Sequence, residues 1–173
     1  MPNERFRADA ALAPLKVFQR RTVDYVFNRL YGQDDPVRQF LVADEVGLGK
    51  TMVARGVIAR MIEHLWDSTK RIDILYICSN QAIAAQNLNR LNVLGRRELA
   101  LPTRMTLVPL QLRDQAGLDA NRVNFISLTP GTTFDLRSAT GVTQERALLF
   151  HLLRDLVTRP RGLHNLLQVT AGV

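Results

Sequence analysis

The stretch Phe40-Leu41-Val42-Ala43-Asp44-Glu45-Val46-Gly47-Leu48-Gly49-Lys50-Thr51 decides how the rest of the sequence is read. Its first four residues are a short apolar run of the kind that makes a buried strand. Two glycines then punctuate a loop. Lys50-Thr51 opens a segment, 50–65, in which Val53, Val57/Ile58, Met61 and Leu65 share one helical face. A strand, a glycine loop and a helix in that order can cradle phosphate. Successive backbone N–H groups form a concave nest, and the positive end of the helix dipole adds to it. Gly47 and Gly49 let the backbone take positive φ and approach a phosphate without a Cβ clash. Lys50 is placed to reach β- and γ-phosphates as a point charge, and Thr51 to offer a hydroxyl to Mg²⁺. Against the strict pattern G-x-x-x-x-G-K-[ST], Asp44 stands at the first glycine position, a departure of one residue. A plain strand-to-helix turn with a surface lysine has the same letters, but the flanking strand and helix favour the phosphate loop.

Working outward, Leu15, Phe18, Thr22, Tyr25/Val26 and Leu30 recur at helical spacing. They predict a helix over about 14–31, with Pro14 in its first turn and Gly32 closing it. Asp34-Asp35-Pro36 reads as a turn, and 37–43 as the strand that leads into the loop. Downstream of the break at Asp67-Ser68-Thr69-Lys70, residues 72–79 (IDILYICS) are β-branched, aromatic and nearly unbroken in hydrophobicity. That predicts a strand covered on both faces, as in a parallel sheet. Ala84, Leu88, Leu91 and Leu94 predict a helix over 81–94, and 105–110 and 123–128 are two further strand candidates. The stretch between those strands, through Gly117-Leu118-Asp119, fits a loop or a short helix. Residues 143–157 read as a helix capped by Thr143, and Arg159-Pro160-Arg161-Gly162 as a linker. Strand and helix alternate, the signature of an α/β domain with a mostly parallel sheet flanked by helices.

The 173 residues suit one domain, and 46% hydrophobic content supports a real core. No apolar run approaches the roughly 18–20 residues that cross a bilayer, and residues 1–9 carry no signal-peptide core. The expectation is a cytoplasmic domain with no membrane partner. Cys78 is the single cysteine, which excludes an internal disulfide or a multi-cysteine metal site. His64, His151 and His164 have no carboxylate or cysteine at ligand spacing. Lys and Arg number 23 against 16 Asp and Glu, a net charge of +7 that favours polyanions. The excess is dispersed over Arg20-Arg21, Arg96-Arg97, Arg104, Arg113 and Arg159/Arg161, which suits a solvated basic surface or a groove that tracks a phosphate backbone. Aromatic content of 6% argues against a base-stacking platform, though Trp66 and Phe134 could each stack one base.

Ala43 to Thr51, A-D-E-x-G-L-G-K-T, resembles motif I of superfamily 2 helicases, in the form found in the Snf2/RapA-like branch of nucleic-acid translocases. The resemblance implies a RecA-like P-loop lobe that binds ATP and Mg²⁺. Nucleotide contacts would come from Asp44, Glu45, Val46, Gly47, Leu48, Gly49, Lys50, Thr51 and Met52. Lys50 and Thr51 would be the catalytic pair, with Thr51 on the metal. Leu15 to Gln19 (LKVFQ) looks like the family's adenine-recognising segment and makes Gln19 the base reader; the alternative is a surface glutamine. Ser79-Asn80-Gln81, after the apolar 74–78, resembles motif Ia, which touches the nucleic-acid backbone. Asn80 stands where many relatives carry proline, and an ordinary strand-to-helix cap fits these residues equally. Thr129-Pro130-Gly131-Thr132-Thr133 looks like a motif Ib loop, offering backbone amides and hydroxyls to phosphates. A tight turn ending a strand fits that stretch equally.

A phosphate loop alone hydrolyses ATP poorly, because Mg²⁺ needs a second carboxylate and the attacking water needs orienting. In this family an Asp-Glu box supplies both. The sole Asp-Glu pair here is Asp44-Glu45, inside the loop, and Asp73, Asp135 and Asp155 do not close an apolar strand. The expectation is that 1–158 is part of a first motor lobe and 159–173 a linker or truncated continuation, with the box and a second lobe of the same protein to follow. Its track would be nucleic acid, duplex DNA favoured. The competing reading is a non-catalytic nucleic-acid-binding module that keeps the loop as a structural or regulatory nucleotide site. A small phosphate-loop kinase or GTPase fits less well, because no Asn-Lys-x-Asp guanine reader is present.

Overall fold

The computed structural model of the chain describes residues 5–95, 100–102, 118–129 and 143–168. Two helices precede the phosphate loop, a short α1 (Asp9–Leu12) and a long α2 (Val17–Tyr31). Pro14 lies in the turn between them, so the helix expected over about 14–31 begins at Val17 and α1 precedes it. Lys16 is the N-cap of α2, with its backbone extended. The loop runs into α3 (Lys50–Leu65), followed by β1 (Ile72–Ile77), α4 (Gln81–Leu91) and a three-residue strand β2 (Ala100–Pro102). A 3-10 turn at Leu118–Ala120 leads into β3 (Val123–Leu128). Two helices, α5 (Thr143–Leu153) and α6 (Pro160–Gln168), pack on each other. Residues 160–162, read from sequence as a linker, form the first turn of α6. Pro160 suits a first helical turn, where its missing N–H has no helical acceptor to lose. The strand expected over 105–110 lies outside the described residues.

The sheet has the order β1-β3-β2, and both pairings are parallel. Ile72 faces Val123 and the register holds through Ile77 and Leu128. Each parallel pairing requires a crossover, and α4 supplies one. The two faces of β3 have different coverings. Val123 and Phe125 join Ile62 of α3, Leu88 of α4 and Ile72 in the main core, with Ile58, Met61, Leu65 and Trp66 packed around it. Ile126 and Leu128 bury on the opposite face against Leu118. β1 departs from the expected two-sided burial. Ile72, Ile74 and Tyr76 turn to the helices, while Leu75 and Ile77 are exposed on the other face. Among the described residues β1 is an edge strand, so only the face under α3 and α4 is covered.

The apolar run before the loop does not form a strand. Residues 39–45 have no regular secondary structure and no ladder pairing to any described strand, and Leu41 is 84% exposed. Strand geometry is stable only with a neighbour to pair with, and none lies beside this segment. Phe40 is held instead by an edge-on contact with Tyr25 of α2, with ring centroids 5.8 Å apart.

α2 and α3 cross closely. Leu15, Val23 and Val53 form a second core cluster, and Gly56 sits where a Cβ would lie 2.7 Å from Val23 Cγ2 and 3.0 Å from Leu15 Cδ1. Ala8 and Ala11 of the N-terminal segment pack on Ala59 of the same helix. The far end of α3 (Ile62, Leu65) meets the starts of β1 and β3, so α3 runs antiparallel to the strands. That direction brings the beginning of α3 to the pole where β1 and β3 end, and Ser79, Asn80 and Thr129 follow those strand ends. Among the described residues no helix is long and apolar enough to cross a membrane.

Candidate functional site

The loop adopts the backbone its glycines permit. Gly47 has φ +93° and Gly49 has φ +81°, both in the left-handed region that side chains disfavour. Gly49 is the N-cap of α3, and its carbonyl accepts the N–H groups of Met52 (2.8 Å) and Val53 (3.2 Å). The helix therefore starts at Lys50, with its first N–H groups and its positive dipole end at the loop. Lys50 folds back over the loop, where Nζ donates to the carbonyls of Asp44 (2.8 Å) and Glu45 (2.9 Å). These contacts hold its ammonium on the loop side of the helix start. Phosphate oxygens are stronger acceptors than the two carbonyls and can take their place. Val46 projects into solvent, and Thr51 is half-buried in the first turn of α3.

These residues fit a nucleotide phosphate chain with its divalent cation. A Cβ on Gly47 would meet nothing within 4 Å, so open space lies beside a backbone already in the nest conformation. Met52 lies beside the loop in the first turn of α3, with its N–H donated to the Gly49 carbonyl. Its side chain packs against the Leu15, Val23 and Val53 cluster, inside the α2–α3 interface.

Gln19 is joined to the loop, though not as the adenine reading supposes. Its side-chain oxygen accepts from the Lys16 backbone N–H at 3.0 Å, and its Nε2 donates to the Leu48 carbonyl at 3.0 Å. The residue is 7% exposed. It bridges the first turn of α2 to the middle of the phosphate loop. Half of this role has a signal in the sequence, since a glutamine three residues after a helix N-cap is the capping-box position.

The other expected contacts divide. Asn80 is the N-cap of α4, and its Oδ1 accepts from the N–H groups of Ala82 (2.9 Å) and Ile83 (3.2 Å). The ordinary cap is therefore formed, with Ser79 and Asn80 both exposed beside it. Gln81 opens α4. Thr129 is buried at the end of β3. Pro130, Gly131, Thr132 and Thr133 lie outside the described residues, as do Phe134, Arg96-Arg97, Arg104 and Arg113. Trp66 packs on Phe6 and carries the Arg122 guanidinium 4.6 Å over its ring, which is a packing role. His64 packs against the rings of Phe27 and Tyr31, which stack on each other with centroids 5.3 Å apart, on the α2–α3 surface. Burial there raises the Tyr31 hydroxyl pKa above its ordinary value, because the charged form loses hydration. No group of three or more metal-ligating side chains occurs among the described residues. Cys78 is partly buried rather than fully enclosed.

One polar network has no counterpart in the sequence reading. Asn124, fully buried in β3, donates to Asp73 Oδ1 directly across the sheet (2.8 Å) and to the Leu118 carbonyl (3.0 Å). Arg71 pairs with both Asp73 and Asp119. The network closes the 3-10 turn onto the starts of the strands, at the pole opposite the phosphate loop. Its role is to hold the sheet.

No family model matches this chain, and neither a curated protein nor a solved structure matches it.

Proposed function

We propose that the chain is the nucleotide-binding lobe of an ATP-dependent nucleic-acid translocase, a RecA-like lobe with duplex DNA as its track. The observation that carries this reading is the loop itself: two glycines at positive φ, an α-helix beginning at Lys50, and the Lys50 ammonium folded onto the loop carbonyls. The parallel sheet with antiparallel covering helices supports it, since ligands of open α/β sheets bind at the carboxyl ends of the strands. So does the resemblance of residues 43–51 to the helicase motif.

In this reading the backbone N–H groups of 47–51 and the Lys50 ammonium hold the triphosphate, and the Thr51 hydroxyl orients its metal. Mg²⁺, when bound, neutralises phosphate charge. Asp44 and Glu45 contribute their carbonyls as the resting position of Lys50. Nucleic acid would pass over the pole where the strands end, beside Ser79 and Asn80. The residues that would complete hydrolysis, a second metal-binding carboxylate and a second lobe, belong to a larger assembly of the same protein.

Titrating labelled ATP onto the chain with Mg²⁺, with and without Lys50→Ala, tests the reading. A charged hydrogen-bond donor in such a site is worth about tenfold or more in affinity, so the variant should bind at least that much more weakly. Equal binding by both proteins would sink the proposal. Turnover with duplex DNA decides the rest. Binding without turnover is the expected result for this chain alone, whereas rapid hydrolysis would reveal a second carboxylate that no apolar strand announces.

A further inference from the structure

The Gln19 amide is committed to protein on both sides. Its oxygen accepts from Lys16 N–H, its nitrogen donates to the Leu48 carbonyl, and the residue is nearly inaccessible. The contact with the loop is tight as well. A Cβ on Gly49 would lie 2.6 Å from Gln19 Nε2, so the amide fills the space that Gly49 leaves open. A base reader needs the opposite, an amide edge facing the ligand with its donor and acceptor free. The surface beside Gln19 mixes exposed Val17 (69%) and Phe18 (45%) with the exposed charged side chains of Lys16, Arg20 and Arg21, at the start of the same helix.

We infer that Gln19 is a positioning residue for the phosphate loop, acting on triphosphate binding through the loop backbone rather than by reading the base. The inference rests on the nucleotide-binding reading above and departs from the adenine-reading role that the resemblance implies for Gln19. Gln19 acts through Leu48 and Gly49: it ties the loop backbone to the first turn of α2 and so holds the N–H groups that meet phosphate. Affinity then depends on Gln19 through the phosphates, which every nucleoside triphosphate shares.

The test measures binding of ATP, GTP and inorganic tripolyphosphate, each with Mg²⁺, to the wild-type chain, Gln19→Ala, Gln19→Glu and Lys50→Ala. Any wild-type preference between ATP and GTP should persist unchanged in Gln19→Ala. Gln19→Ala should weaken all three ligands by a common factor of about five to ten, the worth of one loop-holding hydrogen bond. Gln19→Glu keeps the acceptor for Lys16 N–H and loses the donor to Leu48, so it should show the same uniform loss with α2 intact by circular dichroism. The loss for tripolyphosphate, which has no base, is the readout that a base-reading glutamine would leave unmoved. Wild-type preference for ATP over GTP by more than about tenfold, erased in Gln19→Ala, would overturn the inference. If Gln19→Ala does not fold, Gln19→Glu, read against the same three ligands, still decides it. Failure of wild type to bind any of the three, or indifference to Lys50→Ala, fails the phosphate-loop reading and takes this inference with it.

Discussion

At the residue scale, the two loop glycines have different jobs, and their substitutions separate them. Gly47 and Gly49 both hold positive φ, which costs a side-chain residue roughly 1–2 kcal/mol. At Gly47 that strain is the whole cost, because a Cβ there would have no atom within 4 Å. At Gly49 a methyl group meets Gln19 Nε2, so the amide must also leave the Leu48 carbonyl. Gly49→Ala should therefore lose more stability than Gly47→Ala by about 1 kcal/mol, the value of that hydrogen bond. Urea unfolding of both variants checks this, and the gap should close in a Gln19→Ala background. Equal losses in the wild-type background would mean that Gln19 does not hold the loop. The glycines were legible as glycines from sequence, whereas the partner that makes one of them obligatory sits 30 positions upstream.

The elements tell a more mixed story. α4 follows its apolar spacing, with Ala84, Leu88 and Leu91 buried. α3 instead buries Val53, Gly56, Ala59 and Ile62 and leaves Val57, Ile58, Met61 and Leu65 only partly covered, because the small residues let its neighbours approach most closely there. α3 also contains a glycine that spacing does not explain. Gly56 lets α2 approach until Val23 and Leu15 touch its backbone. Gly56→Val should destabilise the chain by about 2 kcal/mol or more, since overpacking outweighs the gain of about 0.5–1 kcal/mol from removing a helical glycine. Thermal or urea unfolding measures it; a neutral or stabilising outcome would show that the α2–α3 crossing is looser than described. The strand readings fared less evenly. VNFISL, residues 123–128, is buried on both faces, asparagine included, with its amide nitrogen donating to Asp73 and to the Leu118 carbonyl. Among the described residues IDILYI, equally apolar, stands at an edge, and FLVA pairs with no strand. Strand formation depends on who lies alongside, which a hydrophobic run does not state.

For the whole molecule, charge gives the most direct prediction. The net +7 and the exposed Arg159 and Arg161 leave no single basic cluster among the described residues, so attraction to a duplex should be backbone-directed. Affinity for duplex DNA should fall by about tenfold or more between roughly 50 and 200 mM salt, with scrambled sequences binding alike. Salt-independent binding, or a strong sequence preference, would oppose a track-following role. What the sequence determined alone is the local chemistry: a glycine loop feeding a helix that begins with Lys-Thr, the existence of α2 to α4 and the buried face of α4, and an α/β alternation. Each of these rests on interactions within a few residues, and short-range spacing encodes them. Only the tertiary structure decided that β1 is an edge strand and the run before the loop unpaired among the described residues, and that Gln19 gives its amide nitrogen to the Leu48 carbonyl. Those outcomes depend on which surfaces meet across long sequence separations, and no periodicity records a hydrogen bond to a carbonyl that folding alone brings near.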